Sequence, residues 1–218
     1  MTQAMIPCDT SATKVAAARP RVALAEDDFL LGSALQERLS ERGMSVYGFS
    51  RAASLLEALG RGLVIDCIVS DIRMPELTGL DLQRELTSRN NPTPLILITA
   101  YGEVELAVTA LKQGAHDFLL KPVWEQRLIA SIESAVDENS RRRSGQAEIA
   151  ELRRRVADLS ERQRQVMELA VQGRTNKEIA MLLKISFRTV ENYRAWVMER
   201  MGADNLADLV RMAARIGL

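Results

Sequence analysis

Residues 63–71 read Leu63-Val64-Ile65-Asp66-Cys67-Ile68-Val69-Ser70-Asp71, an apolar run that ends on a serine and an aspartate and is followed by Pro75 and Gly79. A stretch that stays apolar rather than alternating fits a strand buried on both faces, as in a parallel sheet covered by helices. It predicts a strand over Leu63–Ser70, and the same pattern recurs on either side. Upstream, Val22–Ala25 reads as a strand. Helical spacing follows at Leu30, Leu31, Ala34, Leu35 and Leu39, closed by Gly43. Met44–Phe49 reads as a strand and Ala52–Leu59 as a helix ended by Gly60 and Gly62. Downstream come a helix over Leu80–Ser88, a strand over Leu95–Thr99, a helix over Val104–Lys112 and a strand over Asp117–Leu120 before Pro122. A last helix runs from about Glu125 to Asn139. Five β–α units of this kind predict a doubly wound, five-stranded parallel α/β sheet of order 2-1-3-4-5, with its site beyond the C-terminal strand ends.

The 218 residues carry no net charge, but the balance is uneven along the chain. Residues 1–140 hold 13 basic and 19 acidic side chains, a net of −6; the other 78 hold 16 and 10, a net of +6. An acidic half joined to a basic half predicts two domains, the basic one a candidate for nucleic acid. The small, polar residues 1–20, with Pro7 and Pro20, read as a disordered leader. Residues 21–139 read as the first domain and 140–158 as a basic helical linker. The linker opens on the polar break Arg141-Arg142-Arg143-Ser144-Gly145 and carries a narrow apolar stripe at Ile149, Leu152, Val156 and Leu159. Residues 159–218 read as a separate all-α domain of four helices, punctuated at Gly173, Lys184–Ser186 and Gly202–Asp204. Cys8 and Cys67 are too few for a disulfide framework, and no apolar run approaches membrane-span length, so a reduced, cytoplasmic protein is expected.

In the predicted sheet, strand one ends in Glu26, Asp27 and Asp28, strand three in Asp71, strand four in Thr99 and strand five in Lys121. Order 2-1-3-4-5 brings these ends together. Converging carboxylates repel and need a cation, and an all-oxygen ligand set selects a hard ion such as Mg²⁺. A lysine ammonium and a threonine hydroxyl beside them suit the oxygens of a phosphoryl group.

Residues 21–139 resemble the receiver domain of two-component response regulators. The resemblance rests on Val-Ala-Leu-Ala-Glu26-Asp27, Val-Ser-Asp71-Ile-Arg-Met-Pro75-Glu-Leu-Thr-Gly79, Leu-Ile-Thr99-Ala100-Tyr-Gly and Phe118-Leu-Leu-Lys121-Pro122. It implies that Asp71 is the phosphoacceptor, loaded by a sensor histidine kinase. It implies that Asp27, Asp71 and the Arg73 backbone carbonyl ligate Mg²⁺, with Glu26 acting through water, and that Thr99 and Lys121 contact the phosphoryl group. Thr99 drawn inward would leave room for Phe118, the switch aromatic; Phe118 as a plain core residue is the competing reading. Arg73 and Tyr101 flank the site where phosphate lifetime is set. Gly79 and Pro75 read as turn chemistry, and His116, the only histidine, as a surface-loop residue.

In the basic half, Thr175 or Asn176 is placed to cap one helix and Ser186 the next, on which Val190, Val197 and Met201 share a buried face. The opposite face presents Arg188, Glu191, Asn192 and Ala195, a set able to enter a major groove. Lys177, Arg188, Thr189, Tyr193 and Arg194 are candidate phosphate contacts, with Ser186 beside them; Asn192 suits adenine, and Glu191 suits cytosine or is simply solvated. Trp196 has no role in this scheme beyond packing on the last helix. The segment resembles the LuxR-type helix-turn-helix of FixJ/NarL response regulators through Leu159-Ser-Glu-Arg162-Gln-Arg-Gln-Val166, Gly173-Arg-Thr-Asn176-Lys177-Glu178-Ile179-Ala180, Leu183-Lys-Ile185-Ser186 and Thr189-Val190-Glu191-Asn192-Tyr193-Arg194. Gln163 stands where that family usually has Glu, and Tyr193 where it has His. The resemblance implies a transcriptional regulator that binds an inverted repeat as a homodimer and contacts RNA polymerase. The last helix, with Leu206, Leu209, Val210 and Ala213, would pair with its twin or merely close a small core. Dimerisation would follow phosphorylation or run constitutively through a linker coiled coil.

Two other readings compete. Phosphatases that form aspartyl phosphates resemble an Asp-x-Asp arrangement, but Asp71 is followed by Ile72 and Arg73, so an enzyme is not expected beyond autodephosphorylation. An RNA-binding output would need stacking aromatics that the chain lacks.

Overall fold

The computed structural model describes residues 19–100 and 104–218. Residues 1–18 of the leader and Tyr101 lie outside these. The chain divides after Ser140 into two compact units.

In the first unit five parallel strands, β1 (Arg21–Ala25), β2 (Ser45–Phe49), β3 (Cys67–Asp71), β4 (Leu95–Thr99) and β5 (Asp117–Leu120), lie in the order 2-1-3-4-5. The helices are α1 (Phe29–Glu41), α2 (Ala52–Gly60), α3 (Gly79–Ser88), α4 (Val104–Lys112) and α5 (Glu125–Ala157). Alternate strand residues feed two cores. Ala23, Ala25, Ile68, Leu95 and Leu97 pack with Leu55 and Leu56 of α2, Leu82 and Leu86 of α3 and Ala110 of α4. Val22, Leu24, Cys67, Val69, Ile96, Ile98 and Leu119 pack with Leu39 of α1 and Leu128, Ile132 and Ala135 of α5. β3 and β4 are buried along their whole lengths, as their unbroken apolar runs require.

β3 begins at Cys67 rather than Leu63. Asp66 is held outside the strand by Arg21, whose backbone N–H, Nε and Nη2 donate to its carboxylate at 2.9, 3.1 and 3.0 Å. The expected break at Arg141–Gly145 does not interrupt α5. Arginine is a good helix former and a lone glycine costs only about 1 kcal/mol, so a polar stretch without proline stays helical. Burial pushes the Cys67 thiol up. No described helix is long and apolar enough to cross a membrane.

The second unit holds the last turns of α5 with α6 (Glu161–Val171), α7 (Asn176–Leu183), α8 (Phe187–Met201) and α9 (Leu206–Ile216). Leu152 and Leu159 are buried with Met167, Val197, Met201, Leu209 and Ala213, and Val156 packs on the same cluster. Most of the apolar stripe read as coiled-coil material is therefore used inside this unit. Arg155 donates to the Met201 carbonyl at 2.7 Å, closing the α5 end onto α8.

Among the described residues, three helices begin with reciprocal side-chain caps: Thr78 with Asp81, Ser160 with Gln163 and Thr175 with Glu178. Gln163 does here what a glutamate would do, accepting from Ser160 N–H at 2.8 Å. The hydrogen bonds from the Thr78 side chain and backbone hold Asp81 below its ordinary value, and those from Thr175 do the same for Glu178. Stabilisation from both is complete above the ordinary carboxylate values and is lost as pH falls through the depressed ones, a window of about pH 4 and below. Denaturant midpoints across that window should fall less steeply for Asp81→Asn than for the parent chain. Thr78→Ala should cost about 1 kcal/mol at neutral pH.

Candidate phosphoacceptor site and nucleic-acid interface

Strand register assembles the site. Ala25 pairs with Ser70, Asp71 with Ile98 and Thr99 with Leu120, so Glu26, Asp71, Thr99 and Lys121 all fall at the C-terminal edge of the sheet. Backbone hydrogen bonds carry the ladder past the strands, from Glu26 N–H to Phe49 O at 2.9 Å and from Lys121 N–H to Thr99 O at 2.7 Å. The edge is thus rigid where the side chains must be.

Lys121 is the centre. Its Nζ donates to Asp71 Oδ2 at 2.5 Å and to Glu26 Oε2 at 2.7 Å, with its own side chain only 17% exposed. Burial alone would lower the ammonium, but the two carboxylates outweigh it and hold Lys121 charged, above its ordinary value. Burial pushes the Glu26 carboxyl up, against the pull of Lys121. Carboxylate oxygens of Glu26, Asp27 and Asp71 lie within 4.8 Å of one another. Three acidic groups against one ammonium leave local negative charge, and all the donors are oxygen. That set fits a hard divalent cation.

Asp28, which follows Glu26 and Asp27 at the end of strand one, has another task. Its carboxylate caps α1, accepting from Leu30 and Leu31 N–H at 2.9 and 3.1 Å. Arg73 N–H donates to Asp71 Oδ1 at 3.1 Å, which folds the following peptide around the carboxylate. Thr99 is buried at the end of β4, and Phe118 is half-buried against the core that contains Leu97 and Ala110. His116 is not a free loop residue: its side chain is 16% exposed, with Nδ1 3.0 Å from Glu138. Sequence reasoning missed the part played by Gly79. A Cβ there would lie 2.5 Å from the Asp71 carbonyl oxygen and 3.0 Å from Ile72 Cα.

In the second unit α7 and α8 meet through a short turn in which Lys184 takes a left-handed conformation. Val190, Val197 and Met201 are buried, while Arg188, Asn192 and Ala195 are exposed and Glu191 is partly covered. Arg188 Nη1 sits 3.4 Å from Glu191. Lys177 is exposed on α7. Ser186 caps α8 by accepting from Thr189 N–H at 3.0 Å, and its hydroxyl lies 2.7 Å from that of Thr189. Arg194 is half-buried and donates to Asn176 Oδ1 at 2.7 Å, which makes it a strut between α7 and α8. Tyr193 packs partly on the small core of Val166, Ala170, Ile179 and Val190. Trp196 is 51% exposed and stands edge-on to Tyr193. The α9 stripe divides, with Leu209 and Ala213 buried and Leu206 and Val210 exposed.

Known proteins resolve what this pairing of units is. Residues 22–133 match the response regulator receiver domain, and residues 157–213 match the bacterial regulatory proteins of the luxR family. This chain belongs to the FixJ-type response regulators. It is 42% identical over 193 residues to the transcriptional regulatory protein FixJ of Bradyrhizobium diazoefficiens, an alignment covering 88% of this chain and 94% of that protein. It is 34% identical over 210 residues to the response regulator protein TodT of Pseudomonas putida, covering 96% and 92%. The solved structure of the response regulator StyR superposes with a TM-score of 0.82 at 34% identity, covering 91% of this chain and all of that one. The protein is therefore a two-component transcriptional response regulator, a receiver joined to a LuxR-type DNA-binding domain, and its family is not an enzyme family.

Proposed function

We propose that Asp71 accepts a phosphoryl group from the phosphohistidine of a sensor kinase, and that this shifts receiver conformation and dimerisation to control promoter binding by α8. The observation that carries the reading is the Lys121 ammonium clamped between Asp71 and Glu26 at the strand ends, beside Asp27. An Asp71 carboxylate oxygen attacks phosphorus in line as the bond to the donor imidazole breaks, and that electron pair leaves on the imidazole. Lys121 follows the charge onto the phosphoryl oxygens, and the Thr99 hydroxyl turns to donate to one of them. Phe118 moves into the space this frees. Mg²⁺, held by Glu26, Asp27, Asp71 and the Arg73 carbonyl, would supply the remaining positive charge. Water then returns the acyl phosphate to carboxylate, an autodephosphorylation beside Arg73.

Receiver pairing places two DNA-binding units on an inverted repeat, with the exposed Leu206 and Val210 of α9 facing their copies in the twin. RNA polymerase is the further partner, and the cytoplasm, where the DNA is, the compartment. Glu191, Asn192 and Ala195 face the bases, and Arg188 reaches from the same face to the phosphates, with Lys177, Ser186, Thr189, Tyr193 and Arg194 beside it. Incubation with acetyl phosphate and Mg²⁺ tests the whole: one phosphoryl group per chain and tighter duplex binding are expected. Sustained turnover of phosphate esters would overturn the regulator reading. On the DNA side, Arg188→Ala should reduce the slope of log affinity against log salt by about one unit. An unchanged slope would show that Arg188 stays with Glu191 when DNA binds.

A further inference from the structure

Trp196 is the residue that neither the core nor the base-reading face accounts for. At about 100° per residue, Val190, Val197 and Met201 of α8 point inward, and Arg188, Asn192 and Ala195 point the opposite way. Thr189, Tyr193 and Trp196 fall between these two faces, as a ridge along one flank spaced four and three residues apart. When a helix lies in a major groove with its outer face to the bases, its flanks run beside the phosphate walls. Every side chain on this ridge ends in a neutral hydrogen-bond donor, two hydroxyls and an indole N–H.

The ring is positioned rather than loose. Its centroid lies 5.7 Å from that of Tyr193, with the planes at 70°, an edge-to-face geometry that restricts both side chains. The concavity beside it is also lined by Asp158, Gln163, Glu199 and Arg200. A lysine at this place would be drawn toward Asp158 and Glu199, whereas an indole N–H donates without a charge to be captured. Arg200, four residues on, continues the same flank beyond Trp196 near the end of α8.

We propose that Trp196, braced by Tyr193, carries the phosphate contacts along the α8 flank on from Tyr193, its ring lying on deoxyribose at the groove wall and its Nε1–H donating to a phosphate oxygen. This rests on α8 being the helix that enters the groove, and the test separates the two claims. The chain holds two tryptophans, so Trp124→Phe leaves Trp196 as the only indole emitter in the full-length protein. A dye-labelled random-sequence duplex at low salt reports binding by anisotropy, and acrylamide quenching reports the accessibility of Trp196 in the same mixture.

Several-fold protection of Trp196 on duplex binding is expected. Trp196→Ala should weaken the duplex by roughly five- to tenfold with an unchanged salt slope, since no charge is removed. Trp196→Phe, which keeps the ring without the donor, should recover part of that loss. Duplex bound with Trp196 still fully quenchable would overturn the contact and leave the DNA reading of α8 standing. A salt slope lowered by Trp196→Ala would overturn it too, because the lost partner would then be a displaced cation. No duplex binding by the parent chain, phosphorylated or not, would sink the reading of α8 itself. The quenching arm needs no change at position 196, so misfolding of a variant does not blunt it.

Discussion

Asp71→Asn is expected to take up no phosphoryl group from acetyl phosphate and to bind DNA equally with and without it. Asparagine keeps the shape of the side chain but replaces the nucleophilic oxygen by an amide and removes the charge that Lys121 clamps at 2.5 Å. Glu26, 2.7 Å from the same ammonium, remains as partner, so the receiver stays folded and the loss is one of chemistry. Coupling between a modification site and a binding site is worth about 1–3 kcal/mol, a roughly 5- to 150-fold difference in affinity. That whole increment should vanish in the variant while its unphosphorylated affinity stays that of the parent. Phosphate-affinity electrophoresis reads the first effect and duplex anisotropy the second. A phosphate-dependent gain surviving in Asp71→Asn would place the acceptor elsewhere.

Much of the fold and site was legible because a few strong physical constraints leave marks in the chain. A strand buried on both faces has to be apolar throughout, and Leu95–Thr99 announces this without reference to any neighbour. Acidic, hydroxyl and basic residues that each follow such a run must converge once the strand order is known. What was not legible depends on partners far away in sequence. Asp66 looks like a blemish in an apolar run until Arg21, 45 positions earlier, is seen to hold it outside β3. Asp28 looks like a fourth metal-site carboxylate until the α1 amides that it caps are in place. His116 reads as a loop residue because nothing local reveals Glu138 against it. The stripe Leu152–Val156–Leu159 has coiled-coil spacing, and only the folded chain shows it turned onto Met201 and Leu209. Period shows which face of a helix is buried, not whether a twin or the same chain buries it.

Gly79 separates local from distant constraint most sharply. In the sequence it is a turn glycine, yet its need for a missing side chain comes from packing: the Asp71 carbonyl oxygen, Leu97 Cδ2 and Ile72 Cα would lie 2.5, 2.9 and 3.0 Å from an added Cβ. Leu97 ends in a rotatable methyl and can give way, but the other two are backbone at the end of β3. Relief therefore means moving the peptide that carries the acceptor, or pushing α3 off its seat, where Gly79 N–H donates to Ile72 O at 2.9 Å. Overpacking of this kind costs about 1–3 kcal/mol, and with backbone on the losing side Gly79→Ala should sit near the upper end. Moving Asp71 also opens its contact with Lys121, so phosphoryl uptake from acetyl phosphate should slow by at least tenfold in the fraction that stays folded. Gly60→Ala is the matched control. Gly60 closes α2, and a methyl added there would meet nothing within 4 Å, so alanine should be neutral or slightly stabilising through helix propensity. Denaturant midpoints that moved equally for the two variants would show that glycine flexibility in general, not the clash with Asp71, sets the requirement at position 79.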